Sequence, residues 1–207
     1  MTDGYADMLA THRAARRTAL LAGAADALDR LGLRSASIAA IADHVGVAKV
    51  VLYRYFGSKD GLIDAVLSDL VDSLLAVDAM PVATWPERLP HTLAVVEQRR
   101  AALRVLLRQA PHDPRFGAHV DRLHAVLAER TVARIADVLG PPAAMPGDPA
   151  MLARLIAGFM LDAYLQWVDG GDPARQALFL TWLVDSVRSM TRGWWGTKPL
   201  APPDAIA

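Results

Sequence analysis

The stretch that decides the fold is residues 37–56, which reads SIAAIADHVGVAKVVLYRYF. Gly46 lies at its centre, where helices commonly end in a left-handed residue that glycine adopts without strain. A second apolar set follows with Val47, Leu52 and Phe56. Two short helices joined by a tight turn that contains glycine form the helix-turn-helix pattern. The apolar residues before the glycine recur at steps of three and four residues, as on one face of a short helix: Ile38, Ile41, Ala42 and Val45.

The second short helix is predicted to turn a mixed cationic and aromatic face outward. If Leu52 and Phe56 point inward, the outward side chains are Lys49, Val50, Tyr53 and Arg54. Such a face suits a helix laid in a DNA groove, whereas the alternative is an ordinary helical hairpin with a solvated face. Another helix opens directly afterwards, with Ser58 as a candidate N-cap. The positive charge of Lys59, beside it, is unfavourable at the positive end of the helix dipole. It becomes favourable if a phosphate binds at the same helix end.

These residues resemble the DNA-binding segment of the tetracycline-repressor (TetR) family of bacterial transcription regulators. The resemblance covers Leu33 to Leu62 and rests on Ser37-Ile38, Ile41-Ala42, Val45-Gly46-Val47, the run 52–56 and the run 58–62. It implies an all-α fold of about nine helices, in which an N-terminal three-helix headpiece joins a larger helical domain. It also implies a homodimeric regulator, a repressor released from a pseudo-palindromic DNA operator by a small hydrophobic or aromatic effector. No cofactor and no metal are implied.

The predicted DNA contacts follow from the resemblance and from the outward face of the second helix. Three positions depart from the family pattern, because Ala36, Ala48 and Val50 stand where hydroxyl-bearing or smaller residues are common. Only three lysines occur in the chain, and two of them, Lys49 and Lys59, fall at presumed DNA-facing positions. The predicted contacts are Arg16, Arg17, Ser37, Ala48, Lys49, Val50, Tyr53, Arg54 and Lys59.

Composition bounds the remaining possibilities. The chain has 207 residues, 53% of them hydrophobic, which is enough for a sizeable core. It has no cysteine, so disulfides and thiolate chemistry are excluded, and its formal net charge is zero, which argues against a general coating of nucleic acid. No uninterrupted apolar run reaches the ~18 residues of a membrane span, and the polar N-terminus is unlike a signal peptide. We therefore expect a cytoplasmic protein without a membrane partner, associated with the nucleoid when bound to DNA.

The domain organisation is read from helix patterns and breakers. We predict a DNA-binding domain at residues 9–57, extended to about 70 by the start of a linking helix. An effector-binding and dimerisation domain follows at residues 58–192, and a tail at residues 193–207. Breaks are expected near residues 80–86, near Arg99, at 111–114 and at 140–149. The linking helix carries a broad apolar stripe, which indicates burial against two neighbours.

The last two predicted helices, about 150–168 and 173–192, are apolar on more than one side. Excess apolar surface on adjacent helices indicates a partner surface, and in the resembled family these helices pair with their copies. The predicted interface is Leu155, Phe159, Leu178, Trp182, Leu183 and Met190.

The effector pocket is the least defined prediction, because ordinary core packing explains the same residues. The candidates are Trp85, His91, Phe116, His119, Met160, Tyr164 and Trp167. Two rival functions stay open: a DNA-binding regulator controlled by a protein partner or by nothing, and an all-helical enzyme. For the enzyme, Asp121 and His124 lie one helical turn apart, although a lone pair on an amphipathic helix is more often solvated.

Overall fold

The computed structural model describes residues 2–139 and 147–195, and its regular structure there is entirely helical, as predicted. The nine α-helices of these residues are α1 (Thr2–Leu31), α2 (Ile38–Val45), α3 (Lys49–Phe56), α4 (Lys59–Asp78), α5 (Leu89–Gln98), α6 (Arg100–Arg104), α7 (Gly117–Leu139), α8 (Pro149–Gly170) and α9 (Gln176–Trp195). Short 3-10 turns occur at Trp85–Arg88, Ala110–His112 and Pro173–Arg175, and one π-helical turn at Val105–Gln109.

Most helix ends lie close to the predicted breaks, with two differences at the termini. Helix α1 begins at Thr2, whereas the DNA-binding domain was predicted to start at residue 9. Helix α9 continues to Trp195, so the predicted tail does not begin at residue 193. The expected break near Arg99 is present, because the backbone of Arg99 leaves helical geometry at φ −118° and ψ 32°. Residues 140–146 of the predicted loop and residues 196–207 of the tail lie outside the described residues.

The first compact unit comprises Met1–Ala79 and His91–Asp121. Helix α4 contacts α1, α3 and α6 within this unit, which explains the breadth of its apolar stripe. That stripe is buried along the whole helix: Leu62, Ile63, Val66, Leu67, Leu70, Val71, Leu74 and Leu75. The predicted division after residue 57 therefore does not coincide with a compact unit, because the headpiece shares its unit with α4, with α6 and with the chain up to Asp121.

The second compact unit comprises Met80–Pro90 and Arg122–Ala207. Its helices α8 and α9 pack together around Leu152, Ile156 and Val187, with aromatic side chains closing the cluster. Trp194, near the end of α9, is one of these. The side chain of Trp195 lies outside the described part.

Among the described residues, helix α8 is the one helix whose length and composition would permit a membrane span. Its most apolar 18-residue window has a mean hydropathy of 1.2, and 44% of that window is buried inside the protein. The helix carries charge at Arg154 and Asp162. Partial burial within a folded unit is also what a core helix shows, so this signal is weak evidence for a membrane.

Candidate nucleic-acid interface

The turn between α2 and α3 has the geometry that the glycine predicts. Gly46 adopts the left-handed conformation, with φ 73° and ψ 34°, directly after the last residue of α2. The amide of Val47 donates to the carbonyl of Ala42 at 3.0 Å, and the amide of Gly46 donates to the carbonyls of Ala42 and Asp43, so these carbonyls at the helix end are satisfied. Ala48 is then extended and starts α3 without a side-chain cap. The helix-turn-helix prediction is confirmed at the level of the backbone.

Helix α3 divides into a buried and an exposed side. Leu52 is completely buried, and it packs within the three-helix headpiece. On the other side Val50 is 69% exposed and Tyr53 is 42% exposed. Lys49 and Arg54 are exposed on the same helix. The four side chains predicted to point outward are exposed and Leu52 is buried as predicted, whereas Phe56, also predicted to point inward, is half-buried.

Aromatic rings lie beside the cations of this surface. The Lys49 ammonium lies 5.9 Å from the centre of the Tyr53 ring, one helical turn away. The Arg17 guanidinium of α1 lies 5.7 Å from the centre of the Phe56 ring at the end of α3. These cation–π contacts orient long side chains that would otherwise sample many rotamers. Arg16, the other predicted contact on α1, is exposed.

Two of the predicted serine and lysine contacts also hold the headpiece together. Ser37 caps α2, since its hydroxyl accepts from the amide of Ala40 at 3.1 Å. The Lys59 ammonium donates to the carbonyl of Arg34 at 3.0 Å, which ties the start of α4 to the turn before α2. Ser58 caps α4 by accepting from the amide of Gly61 at 2.9 Å, as predicted. The ammonium of Lys59 has further donors, so this bond leaves it able to bind a phosphate.

A charged cluster that the sequence did not reveal holds the same end of the headpiece. At its centre is Asp113, whose side chain is 4% exposed. Arg115 donates to it from two side-chain nitrogens and from its backbone amide, at 3.0–3.1 Å. The same arginine also bonds Asp60, in the first turn of α4, at 3.0 and 3.1 Å. Arg34 lies 3.6 Å from Asp113 and donates to the carbonyl of His112.

Electrostatics in this cluster favour the charged forms. The side-chain hydrogen bond from Arg115 is the largest cause that lowers the pKa of Asp113 to about 2, and the backbone amide of Arg115 adds to it. Burial acts in the opposite direction. The hydrogen bond with Asp113 in turn raises the pKa of Arg115. The sequence marked this region only as a helix stop, Pro111-His-Asp-Pro114; a buried aspartate between two arginines requires the tertiary contacts to be seen.

Further polar contacts attach the chain after residue 98 to the headpiece. Arg99 bonds Asp69 of α4 at 2.8 Å, and Arg104 bonds Asp29 of α1 at 3.1 Å. The side-chain oxygen of Gln109, at the end of the π-helical turn, accepts from the amide of Leu33 at 2.7 Å. Arg99 and Arg104 thus serve intramolecular ion pairs. The headpiece is held by both apolar and charged contacts with a segment distant in sequence.

The predicted effector-pocket residues fall into both compact units. In the first unit, Phe116 is buried with Arg115 over its ring, His119 lies 2.7 Å from Asp64, and His91 is exposed. In the second unit, Trp85 and Met160 pack against the Leu152 cluster. The hydroxyl of the buried Tyr164 donates to the carbonyl of Leu89 at 3.3 Å. Trp167 lines an open groove, so the structure brings Trp85 and Met160 together and gives the others separate surroundings.

That open groove on α8 and α9 has a volume of about 390 Å³. The rings of Trp167 and Phe179 stack in it with centroids 4.4 Å apart, and Trp182 continues the stack. Of the predicted dimer residues, Phe159 and Trp182 line this groove. Leu155, Leu178 and Trp182 are 52%, 65% and 50% exposed. Phe159 is half-buried beside Trp182. Leu183 is completely buried within the chain, so it does not offer the free surface that was predicted, and Met190 is half-buried against the Leu152 cluster.

The residues considered for an enzyme do not gather into a site. Within residues 2–139 and 147–195, no group of three or more acidic or histidine side chains is arranged to hold a metal ion. Asp121 is exposed and His124 is half-buried on α7.

Comparison with known proteins agrees with the helix-turn-helix assignment. Residues 20–66 match the model of bacterial regulatory proteins, tetR family. The chain is 40% identical over 65 residues to the HTH-type transcriptional regulator BetI 2 of Chromohalobacter salexigens, and 39% identical over 61 residues to BetI of Ectopseudomonas mendocina. Each match covers 30% of this chain and 31% of the relative, so the chain matches under a third of the relatives' length. These relatives are named as HTH-type transcriptional regulators.

The fold extends the likeness beyond the headpiece. A TetR-like transcriptional regulator from Rhodococcus sp. RHA1 superposes with a TM-score of 0.63 and 24% identity, covering 86% of this chain and 94% of that one. A tetR-family regulator from Streptomyces coelicolor gives a TM-score of 0.63 at 23% identity, covering 86% of this chain and 82% of that one. At such identities the likeness shows the fold alone. The headpiece of this chain thus resembles that of the tetR family of bacterial regulatory proteins, and its fold is shared with tetR-like regulators.

Proposed function

We propose that the protein is a cytoplasmic, sequence-specific transcription regulator that binds a pseudo-palindromic DNA operator as a homodimer. The observation that carries the proposal is the outward side of α3. A completely buried Leu52 fixes the rotation of the helix, and Lys49, Val50, Tyr53 and Arg54 are left unburied. In helix-turn-helix proteins the N-terminal residues of the second helix contact base edges in the major groove.

Phosphate contacts are assigned to the side chains that flank this helix. Tyr53 and Lys59 are proposed to hold phosphates, with Arg16 and Arg17 on the adjoining backbone. Lys59 lies at the N-terminus of α4, where the helix dipole and the free amides favour an anion. Its bond to the carbonyl of Arg34 fixes the position of the ammonium in advance. Phosphate contacts set register and affinity, whereas base contacts set specificity.

The experiment is selection of bound duplexes from a random DNA pool, followed by titration of the selected duplex at several salt concentrations. Lys59→Ala should weaken binding on all sequences and lower the slope of log affinity against log salt by about one unit. Tyr53→Ala should weaken binding without a comparable change in slope, because it removes no charge. Arg175→Ala, which removes an exposed cation from the other compact unit, is the matched control and should change neither quantity. Selection that yields no preferred sequence would exclude the proposed function.

The homodimer is proposed to form through α8 and α9. Leu155, Leu178 and Trp182 expose half or more of their surface there, and burial of each leucine would contribute about 1 kcal/mol. Two-fold pairing would place two recognition helices in successive major grooves, about 34–36 Å apart. A dimer also explains why a regulator with so short a recognition helix could select one site.

The dimer has its own test, independent of DNA. Leu178→Lys should convert the protein to a monomer in sedimentation equilibrium, because a desolvated lysine is left without a partner in the interface. Ala177→Lys is the control, since it adds the same side chain to an exposed position about 100° around the same helix. A Leu178→Lys protein that stays dimeric would refute the assigned interface and would leave the DNA-binding proposal standing.

Control of DNA affinity by a small hydrophobic or aromatic effector completes the proposal. Its support is the aromatic interior of the second unit around Trp85 and Met160. Coupling between an effector and DNA amounts typically to about 1–3 kcal/mol and acts in both directions. A screen for compounds that release the selected duplex from the protein tests this control. Such release would also show that the effector lowers the affinity for DNA. If no compound changes the affinity for DNA, control by a small effector is excluded, and regulation by a protein partner or by protein abundance takes its place.

A further inference from the structure

Val50 is the most exposed of the large hydrophobic residues in the described structure, with 69% of its surface accessible. It is the second residue of α3, one position after Lys49. Leu52, and not Val50, fills the core position of this helix, so burial in the headpiece does not account for an apolar side chain at position 50. A β-branched residue in a helix keeps essentially one rotamer, so its methyl groups are held in fixed directions.

The neighbours of Val50 on the same surface are able to donate hydrogen bonds, and Val50 is not. Lys49, Tyr53 and Arg54 supply an ammonium, a hydroxyl and a guanidinium. Ala48, which precedes them, offers no side-chain cap and no hydroxyl. Any contribution of the Val50 side chain to DNA recognition must therefore be an apolar contact. On the base edges of the major groove, the C5-methyl group of thymine is the apolar feature available for such a contact.

We propose that Val50 reads the C5-methyl group of one thymine in each half-site and is a specificity-determining residue of the interface. The inference rests on the proposed function, because it requires α3 to lie in the major groove. Its position in the first turn of α3 suits this role, since residues at the start of the recognition helix reach base edges. Lys49 and Tyr53, beside it, provide contacts that are independent of the thymine methyl group.

Replacement of thymine by deoxyuridine isolates the methyl group. Deoxyuridine lacks the C5-methyl but keeps the same hydrogen-bonding groups, so the duplex retains its base pairing and its charge. Each thymine of the selected duplex is replaced singly, and affinity for the intact wild-type protein is measured by fluorescence anisotropy. At one thymine per half-site the replacement should weaken binding about fourfold, as expected for the loss of one buried methyl-sized group. Replacement in both half-sites together should multiply the two effects.

The protein variants assign the effect to one side chain. Val50→Ala should bring the affinity ratio of the thymine and deoxyuridine duplexes close to one, because the shorter side chain withdraws from the methyl group. Lys49→Ala is the control: it should weaken binding to both duplexes and leave their fourfold ratio in place. Val50→Thr, which keeps the β-branch, should retain part of the ratio.

The outcomes separate this inference from the proposed function. A duplex that is selected and bound, yet shows no thymine whose methyl group matters, overturns the role of Val50 while the protein remains a DNA-binding regulator. A methyl effect that persists unchanged in Val50→Ala also overturns it, because another residue then makes the contact. Failure to select any duplex removes both claims together.

Discussion

Gly46 offers a test of the turn on which the interface depends. The substitution Gly46→Ala places a Cβ where no heavy atom lies within 4 Å, so a steric clash with the surroundings cannot contribute. The residue keeps φ 73°, and a non-glycine residue in the left-handed region costs about 1–2 kcal/mol. Alanine also restricts the unfolded chain, which offsets about 0.4–1 kcal/mol of that cost. The net destabilisation expected is about 1 kcal/mol.

The assay is urea unfolding followed by circular dichroism at one fixed protein concentration, because the stability of a dimer depends on concentration. Gly46→Asn should be less destabilising than Gly46→Ala, since asparagine tolerates the left-handed region better. Gly117→Ala is the matched control in the same unit: its φ is not positive, and its Cβ would meet only the carbonyl oxygen of Ala110 at 3.8 Å. That variant should be about 0.5 kcal/mol more stable than wild type.

A Gly46→Ala protein as stable as the wild type would refute the reasoning, as would an asparagine variant no better than the alanine variant. Either result would mean that the left-handed geometry at the end of α2 does not limit the turn. A destabilised Gly117→Ala would point instead to a general intolerance of added methyl groups. The slope of free energy against urea should be unchanged in all three variants, since none alters the surface exposed on unfolding.

Three further predictions concern the headpiece and its attachment. Leu52→Ala should lower the free energy of unfolding by about 2–5 kcal/mol, while Val50→Ala, on the opposite side of the same helix, should change it by less than about 0.5 kcal/mol in the same urea assay. Ser58→Ala should cost about 1 kcal/mol through loss of the α4 cap, again by urea unfolding. Because the pKa of Asp113 is lowered to about 2 from 3.8, its contribution to stability is present above about pH 4 and is lost as the pH falls toward 2. The difference in stability between wild type and Asp113→Asn, measured by denaturant titration at a series of pH values, should therefore shrink across that range; a constant difference would contradict the assigned ion pairs.

Local signals were sufficient for the helix-turn-helix because each of them acts over a few residues. The step of three and four residues marks the buried side of α2, and glycine marks the turn. The serine before α4 marks a cap that the structure confirms at 2.9 Å. Such preferences depend on backbone geometry and on hydrogen bonds within one turn, so they can be predicted from the sequence without knowledge of the fold. The outward side chains of α3 follow from the same periodicity.

Contacts between distant parts of the chain could not be predicted in this way. Asp113 and Arg115 lie more than fifty residues from Asp60, and in the sequence they belong to an unremarkable Pro-rich break. Similarly, the apolar character of Leu183 was compatible with an interface and with a core, and the packing of the chain buries it. Only the three-dimensional arrangement distinguishes these cases, because burial depends on which helices meet.

The sequence by itself thus determined the all-helical class, the position of the helix-turn-helix and the outward residues of its second helix. The tertiary structure decided which segments share a compact unit with that headpiece and which apolar residues of α8 and α9 remain exposed. The physical reason is the distance along the chain over which each interaction acts. Helix periodicity, capping and left-handed turns are set by neighbours in the chain, whereas ion pairs such as that of Asp60 with Arg115 depend on the path of the whole chain.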